Sequence, residues 1–409
     1  MNRKQLIMLL VALAVIGGAC LVLLNRREQS WTASETQIGQ KLLNNFQMND
    51  VASIHIKGDT DLDLEKKDGR WRVEQRGGYP ANFSQISELL IKMGDLKVAQ
   101  SEPIGASQLD RMHLGEPGKG PDAATLLEFK DAGGKVLDSL LLGKKHTQKS
   151  EGPAPGSFGD EGFADGRYVM LRSDTQDLLT VSDPLNSVDP KPAQWLDKDF
   201  FKVEKPATIS FVSTNASNSW TLSRQSESAP WVLADVKPGE VLDTNKVSSL
   251  SSTLSYPSIV DVAADQSPAK TGMNNPLTLT IETFDHFTYV LKIGDKTPEN
   301  DYNLNVTVTG AIPSDRTPGK DEKPDDKKRL DKEFADKTKP LVAKLDQEKA
   351  LDKWTFVVNS WLIDPLIRDR AQLLVEKKDE KKDAGAASQT TTPDAIDATN
   401  APFNLEPPH

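Results

Sequence analysis

One succession of strands, turns and a capped helix occurs twice along this chain, and that duplication constrains the fold more than any other feature. The first occurrence opens on the alternating stretch Val51-Ala-Ser-Ile54-His-Ile56, continues through Leu62-Asp-Leu64 to Asp68-Gly69-Arg-Trp71-Arg-Val73, and enters Tyr79-Pro80-Ala-Asn82-Phe83. The second opens on Ala207-Thr-Ile209-Ser-Phe211, continues through Trp220-Thr-Leu222 and Pro230-Trp231-Val232-Leu233, and enters Leu242-Asp243-Thr-Asn245. Alternation with a period of two marks a strand with one dry face. The chain is therefore expected to be an α+β protein, with two tandem repeated units of antiparallel sheet and one short helix in each. The units are expected over residues 51–185 and 205–375, with a linker over 186–204.

Within the first unit, Asp68-Gly69 supplies the positive dihedrals of a tight hairpin turn. Asn82 is placed to cap a helix whose apolar stripe is Phe83, Ile86, Leu89 and Leu90. A second hairpin is expected from Thr125–Phe129 to Val136–Leu142, and strands at Tyr168–Leu171 and Leu178–Val181 close the unit. Residues 144–166, rich in Gly, Pro and charge, are expected to form an exposed loop. In the second unit the matching hairpin is Leu277–Phe284 with Tyr289–Ile293, and in both units the returning strand is expected to end at a glycine, Gly143 and Gly294. The copies diverge after the strand Asn303–Val308. There, residues 312–353 insert a Pro- and charge-rich stretch and a helical pattern through Leu341, Leu345 and Leu351. Trp354–Val358 and Trp361–Leu366 are expected to resume the fold at the place of Tyr168–Val181. The plain account of the insertion is a solvated, mobile segment, and the sharper one is an arm that docks a partner. Residues 376–409 carry too few apolar side chains to order themselves, so a disordered tail is expected.

Leu6 to Leu24 is an unbroken apolar run, long enough at the helical rise to cross a hydrocarbon core of about 30 Å. A membrane anchor is expected over residues 1–27, followed by a juxtamembrane helix over 28–50 with Ile38, Leu42, Leu43 and Phe46 on one face. Two alternatives stand beside it. A cleaved signal peptide normally has a shorter apolar region, of about 7 to 15 residues. Gly17-Gly-Ala-Cys20 is similar to the end of a lipobox, but Gly17 stands where a Leu-like residue belongs and the apolar run continues past Cys20. Arg3, Lys4 and the amino terminus, set against Arg26 and Arg27 with Glu28, favour a cytoplasmic N-terminus and an extracytoplasmic body. A formal net charge of -10 and the lack of a basic patch interleaved with aromatics argue against a nucleic-acid partner. Cys20 is the one cysteine, so the body has neither disulfide nor thiolate cluster.

The sequence offers no established chemistry. It has no dinucleotide fingerprint, metalloprotease helix or nucleophile elbow, and Gly115-Glu-Pro-Gly118-Lys119 lacks the spacing and hydroxyl of a phosphate loop. Asp59, Asp61 and Asp63 have the alternation of calcium ligands, but Leu64 stands at the required turn glycine and Arg70 at the bidentate Glu. Of the histidines, His55 lies on a strand, His113 and His146 in Gly/Pro-rich loops, His286 in a hairpin turn and His409 at the terminus. Trp71 and Trp231 stand at corresponding places in the two copies, which favours packing over sugar stacking, and Trp354 and Trp361 are expected in the core. No catalytic, cofactor-binding or metal-ligating residue is assigned, no cofactor is expected, and the protein is not expected to be an enzyme.

Gln40-Lys-Leu-Leu43, Asn49-Asp-Val-Ala-Ser-Ile54, Leu64-Glu-Lys-Lys-Asp-Gly-Arg-Trp71 and Tyr79-Pro-Ala-Asn82 together resemble the bacterial domain-of-unknown-function 4340 family. The likeness covers about 40 to 375, less the insertion. It implies a membrane-anchored protein of repeated sheet units that accompanies an ABC transporter of the gliding-motility type, and hence a periplasmic accessory role through contacts with transporter subunits. An envelope polysaccharide-binding module and a hydrolase with an unrecognised site are the other classes considered.

Overall fold

In the computed structural model, which describes residues 38–147, 164–319 and 322–375, each unit is an antiparallel sheet that buries the apolar stripe of its own helix. The first unit consists of β1 (Ser53–Lys57), β2 (Asp61–Lys67), β3 (Arg70–Val73), β4 (Tyr79–Pro80), helix α1 (Phe83–Asp95), β5 (Val98–Pro103), β6 (Thr125–Lys130), β7 (Val136–Thr147), β8 (Ala164–Leu171) and β9 (Asp174–Val181). The second consists of β10 (Pro206–Val212), β11 (Trp220–Ser223), β12 (Val232–Leu233), α2 (Thr244–Thr253), β13 (Asp261–Val262), α3 (Pro268–Thr271), β14 (Leu277–Thr283), β15 (Phe287–Lys296), β16 (Tyr302–Gly310), α4 (Pro324–Lys349), β17 (Thr355–Val358) and α5 (Ser360–Ile363). The strand orders are β4-β3-β2-β1-β6-β7-β8-β9-β5 and β12-β11-β10-β14-β15-β16-β17-β13. When β1 is matched to β10, the second order repeats the first strand for strand, and only β4 has no counterpart.

The register shows why the duplication was visible. Ile54 lies between Leu64 and Phe129, and Ile56 between Leu62 and Leu127. In the second sheet Ile209 lies between Leu222 and Ile281, and Phe211 between Trp220 and Leu279. All of these side chains are buried, each contributing roughly 1.5–3 kcal/mol relative to exposure. Asp68 and Gly69, with φ of 52° and 75°, make the first hairpin turn. Asn82 caps α1 by accepting the Gln85 N–H at 3.1 Å, and Asp243 caps α2 through Asn245 and Lys246. The stripe of α1 is Ile86, Leu89, Leu90 and Met93. Phe83, in the first turn at the edge of that stripe, remains exposed.

Three expectations are corrected by the sheets. First, β7 and β15 do not stop at Gly143 and Gly294: they run on to Thr147 and Lys296, and their registers slip between Leu142 and Lys145 and between Ile293 and Lys296. Both glycines sit in a bulge where another segment crosses close to the backbone. A Cβ on Gly143 would run into the carbonyl oxygen of Met112, and one on Gly294 into that of Thr271. Second, β16 is the counterpart of β8, and β17 that of β9. The insertion therefore replaces the two-residue turn Arg172–Ser173, and Trp354–Val358 corresponds only to the last strand of the first copy. Third, no α-helix forms over residues 38–50. Leu42 and Leu43 are buried side by side, and the Leu42 N–H bonds to the Leu96 carbonyl at 2.7 Å while Lys41 bridges to Lys97, so this segment lies along the chain that leads into β5.

The expected anchor over residues 1–27, most of the 144–166 loop and the tail at 376–409 lie outside the described residues. Among the described residues no helix is long and apolar enough to cross a membrane. Alanine at Gly143 or Gly294 should destabilise the protein by about 1–3 kcal/mol through overpacking at the crossing. Urea denaturation of each variant checks this, and an unchanged midpoint would show that the crossing can move aside.

Candidate functional site

The linker at 186–204 welds the units together. Ala81 bridges to Leu196, the Asn82 N–H bonds to the Trp195 carbonyl, and the Asp197 N–H bonds to that of Pro80. The Trp195 side chain is fully buried, and its indole N–H donates to the Asp189 carbonyl at 2.7 Å. Beyond the linker, Tyr79 of the first sheet meets the edges of Trp354 and Phe356 of the second, at 5.0 and 5.9 Å between ring centres. Burial and the nearby Asp197 and Asp199 push the Tyr79 phenol well above its ordinary range. Arg76 grips Asp261 with two hydrogen bonds of 2.7 and 2.8 Å, both side chains largely enclosed. The place between the repeats is thus filled by aromatic rings and a forked ion pair, and the buried residues of both units form one contiguous core.

The insertion is the second prominent feature. Its helix α4 spans 26 residues and contains Pro340, which removes one backbone donor from its middle. Its inner stripe is Leu330, Phe334, Thr338, Leu341, Leu345 and Glu348, and its outer positions are exposed. Leu345 lies against the backbone of Gly310. Glu348, almost fully buried, accepts the Tyr289 hydroxyl proton at 2.9 Å on one oxygen and the Lys202 N–H at 2.9 Å on the other. Lys344 donates to the Lys202 carbonyl at 2.6 Å and to Glu204 at 3.2 Å. Burial raises the Glu348 carboxyl above its ordinary value despite these donors, and burial together with Glu348 raises the Tyr289 phenol. At the other end Arg316 clasps Glu322 and Asp331. Between helix and sheet end runs an open groove of about 570 Å³, with Ile312, Ala335, Thr338, Val342 and Ala343 on its walls. The insertion is therefore a seated arm. At the matching place the first copy has only the turn Arg172–Ser173, and at the register position of Tyr289 it carries Asp138, whose carboxyl is raised by burial.

The residues singled out from sequence do not converge. His55 lies across the sheet from Asp63, with Nδ1 2.7 Å from its carboxylate, and the other oxygen of Asp63 accepts the Gln75 amide at 2.8 Å. Asp61 and Asp63 therefore sit on a paired strand, with His55 and Gln75 holding Asp63. His113 adopts a left-handed conformation and pairs with Asp122 at 3.6 Å. His146 is on β7 rather than in a loop, 2.6 Å from Asp165. His286, with φ of 65°, is a turn residue as expected. Among the described residues no group of three or more His, Cys, Asp or Glu is arranged to hold a metal ion. Trp71 is core, whereas Trp231 is half-buried with the Arg224 guanidinium 4.8 Å over its ring. Trp354 packs at the seam, and Trp361, expected in the core, is exposed. A polar residue on a helical stripe, Glu348 after Leu341 and Leu345, is the one signal that would have marked the arm's anchor. Nothing in the sequence pairs Arg76 with Asp261.

The model of the family described as Domain of unknown function (DUF4340) matches residues 71–276, half of the chain. The chain belongs to that family. The match includes Arg76, Tyr79 and Asp261 of the seam and ends before β14, so the arm lies beyond it. No curated protein and no solved structure matches the chain.

Two predictions test these contacts. A double-mutant cycle of Arg76→Ala and Asp261→Ala should give a coupling of about 2 kcal/mol, the range of an enclosed charge-assisted pair. Glu348→Ala should destabilise by about 2 kcal/mol by stranding the Lys202 N–H and leaving the Tyr289 hydroxyl only the Lys202 carbonyl at 3.1 Å, whereas Glu348→Gln keeps an acceptor. A carboxyl raised on folding contributes stability below its unfolded pKa and loses it as pH rises through the folded value. The stability of Glu348→Gln relative to wild type should therefore improve as pH rises above about 4.5, measured by urea melts across pH.

Proposed function

We propose that this protein is a membrane-anchored, extracytoplasmic accessory or scaffold protein of the bacterial cell envelope, acting without catalysis through contacts with subunits of an ABC-type transport system. The observation that carries the reading is the arm. One of two otherwise matching sheets replaces a two-residue turn with a long helix, fixes that helix by a buried carboxylate, and leaves its outer face and one groove exposed. The welded seam supports it further, because a scaffold must hold its contact surfaces in a fixed relation. The apolar run Leu6–Leu24 supports the anchor, and the choice of partner rests on the transporter association that the family resemblance implies.

Co-purification from detergent tests the proposal. The wild-type chain should retain transporter subunits, and the variant Lys332→Glu/Lys339→Glu/Val342→Glu, altered only at exposed arm positions, should lose most of them with an unchanged melting temperature. Retention of no transporter subunit by the wild type would overturn it.

A further inference from the structure

In the first sheet, Lys145 of β7 and Arg167 of β8 are direct cross-strand partners, so two cations stand side by side on one face. Such an arrangement is unfavourable unless something neutralises it. The second copy shows the contrast, because the corresponding pair is Lys296 and Tyr302, in which the lysine ammonium rests 4.7 Å over the tyrosine ring. The duplicated fold therefore accommodates a neutral aromatic at this position, and the first copy has a guanidinium there instead.

Arg167 is held in place without being neutralised. Its Nε donates to the Gly143 carbonyl at 2.9 Å and its Nη1 to the Leu185 carbonyl at 3.4 Å, and among the described residues no carboxylate lies within ion-pair distance. Burial alone pushes its pKa down to about 10. Both cations line a cleft of about 310 Å³, whose other walls are Thr60 of the turn between β1 and β2 and the start of the linker, with Asn186 and Lys191. Two carboxylates share the cleft. Asp189 accepts the Lys191 backbone N–H at 2.8 Å, and Asp59 is exposed. Leu185, which supplies one of the carbonyls, is fully buried with φ of 50°, a conformation that leucine adopts only when its surroundings impose it.

We infer that this cleft is a binding site for a small oxyanion, the carboxylate or phosphate group of a ligand, held by the Nη N–H groups of Arg167 that the Gly143 and Leu185 carbonyls leave free, with Lys145 and Lys191 beside it. The volume suits a single anionic head group, and it is at the low end of the range for ligand pockets. The site is independent of the arm and of its partner.

The test is the melting temperature of the full chain in detergent, titrated with inorganic phosphate and separately with acetate, each against chloride at equal ionic strength. One of the two anions should raise the melting temperature saturably above the chloride control, and the one that does identifies the head group. Arg167→Gln should raise the half-saturating concentration about tenfold or abolish the response. Lys145→Gln, which removes one of the opposed charges and should melt in chloride no lower than wild type, should weaken the response likewise and serves if Arg167→Gln does not fold. Responses to both anions that match chloride, or variants that respond as the wild type does, would overturn the inference.

Discussion

The relative placement of the two repeats depends on the contact between Tyr79 and the pair Trp354 and Phe356. Edge-to-face rings of this kind contribute about 0.5–1.5 kcal/mol each beyond their burial, and here they join the end of one sheet to the last strand of the next. With Arg76 forked onto Asp261 beside them and the linker paired to residues 80–82, the two repeats share one core. A small, polar interface would leave two such units free to move against each other. This one removes that freedom, so every surface of the first repeat is held at a fixed place relative to the arm of the second.

The two copies differ mainly at polar positions within a common apolar frame. Phe129 and Ile281 hold the same register, yet their partners across the sheet are Asp138 and Tyr289, and only the tyrosine has a carboxylate from the insertion to accept its hydrogen bond. Lys145 and Lys296 likewise hold one position, with Arg167 opposite the first and Tyr302 opposite the second. Duplication supplied the scaffold, and substitutions at the ends of the same strands gave each copy a different use for it.

The sheets were legible because period-two alternation and turn residues are local. Ile54, Ile56, Asp68-Gly69 and the Asn82 cap each announce themselves within a few residues, and each stands where the pattern places it. The stretch 38–50 misled because Leu42, Leu43 and Phe46 satisfy a helical spacing, while pairing with Leu96–Val98 decides the outcome from a distance. Residues 354–366 read as the counterpart of the whole of Tyr168–Val181 because the long arm hides the turn it interrupts, whereas β16 already takes the place of β8. The seam pair, the seat of Glu348 and the opposed cations could not be read at all. Each joins residues brought together only by the completed sheets, and a charged side chain carries the same local signal whether it is solvated or enclosed.

The placement of the arm bears on the order in which the molecule assembles. Strands β8 and β9 are joined by a two-residue turn, so they pair as a local hairpin. Strands β16 and β17 are separated by residues 311–354 and must find each other across that length. The entropy of closing a loop grows only slowly with its length, so the finished second sheet is little weakened. Rates are more sensitive, because contacts distant in sequence form late. Within the second sheet β17 therefore pairs with β16 by a far longer closure than β9 with β8, and since β17 carries Phe356, the strand set off by the arm is also the one that seals the two halves together.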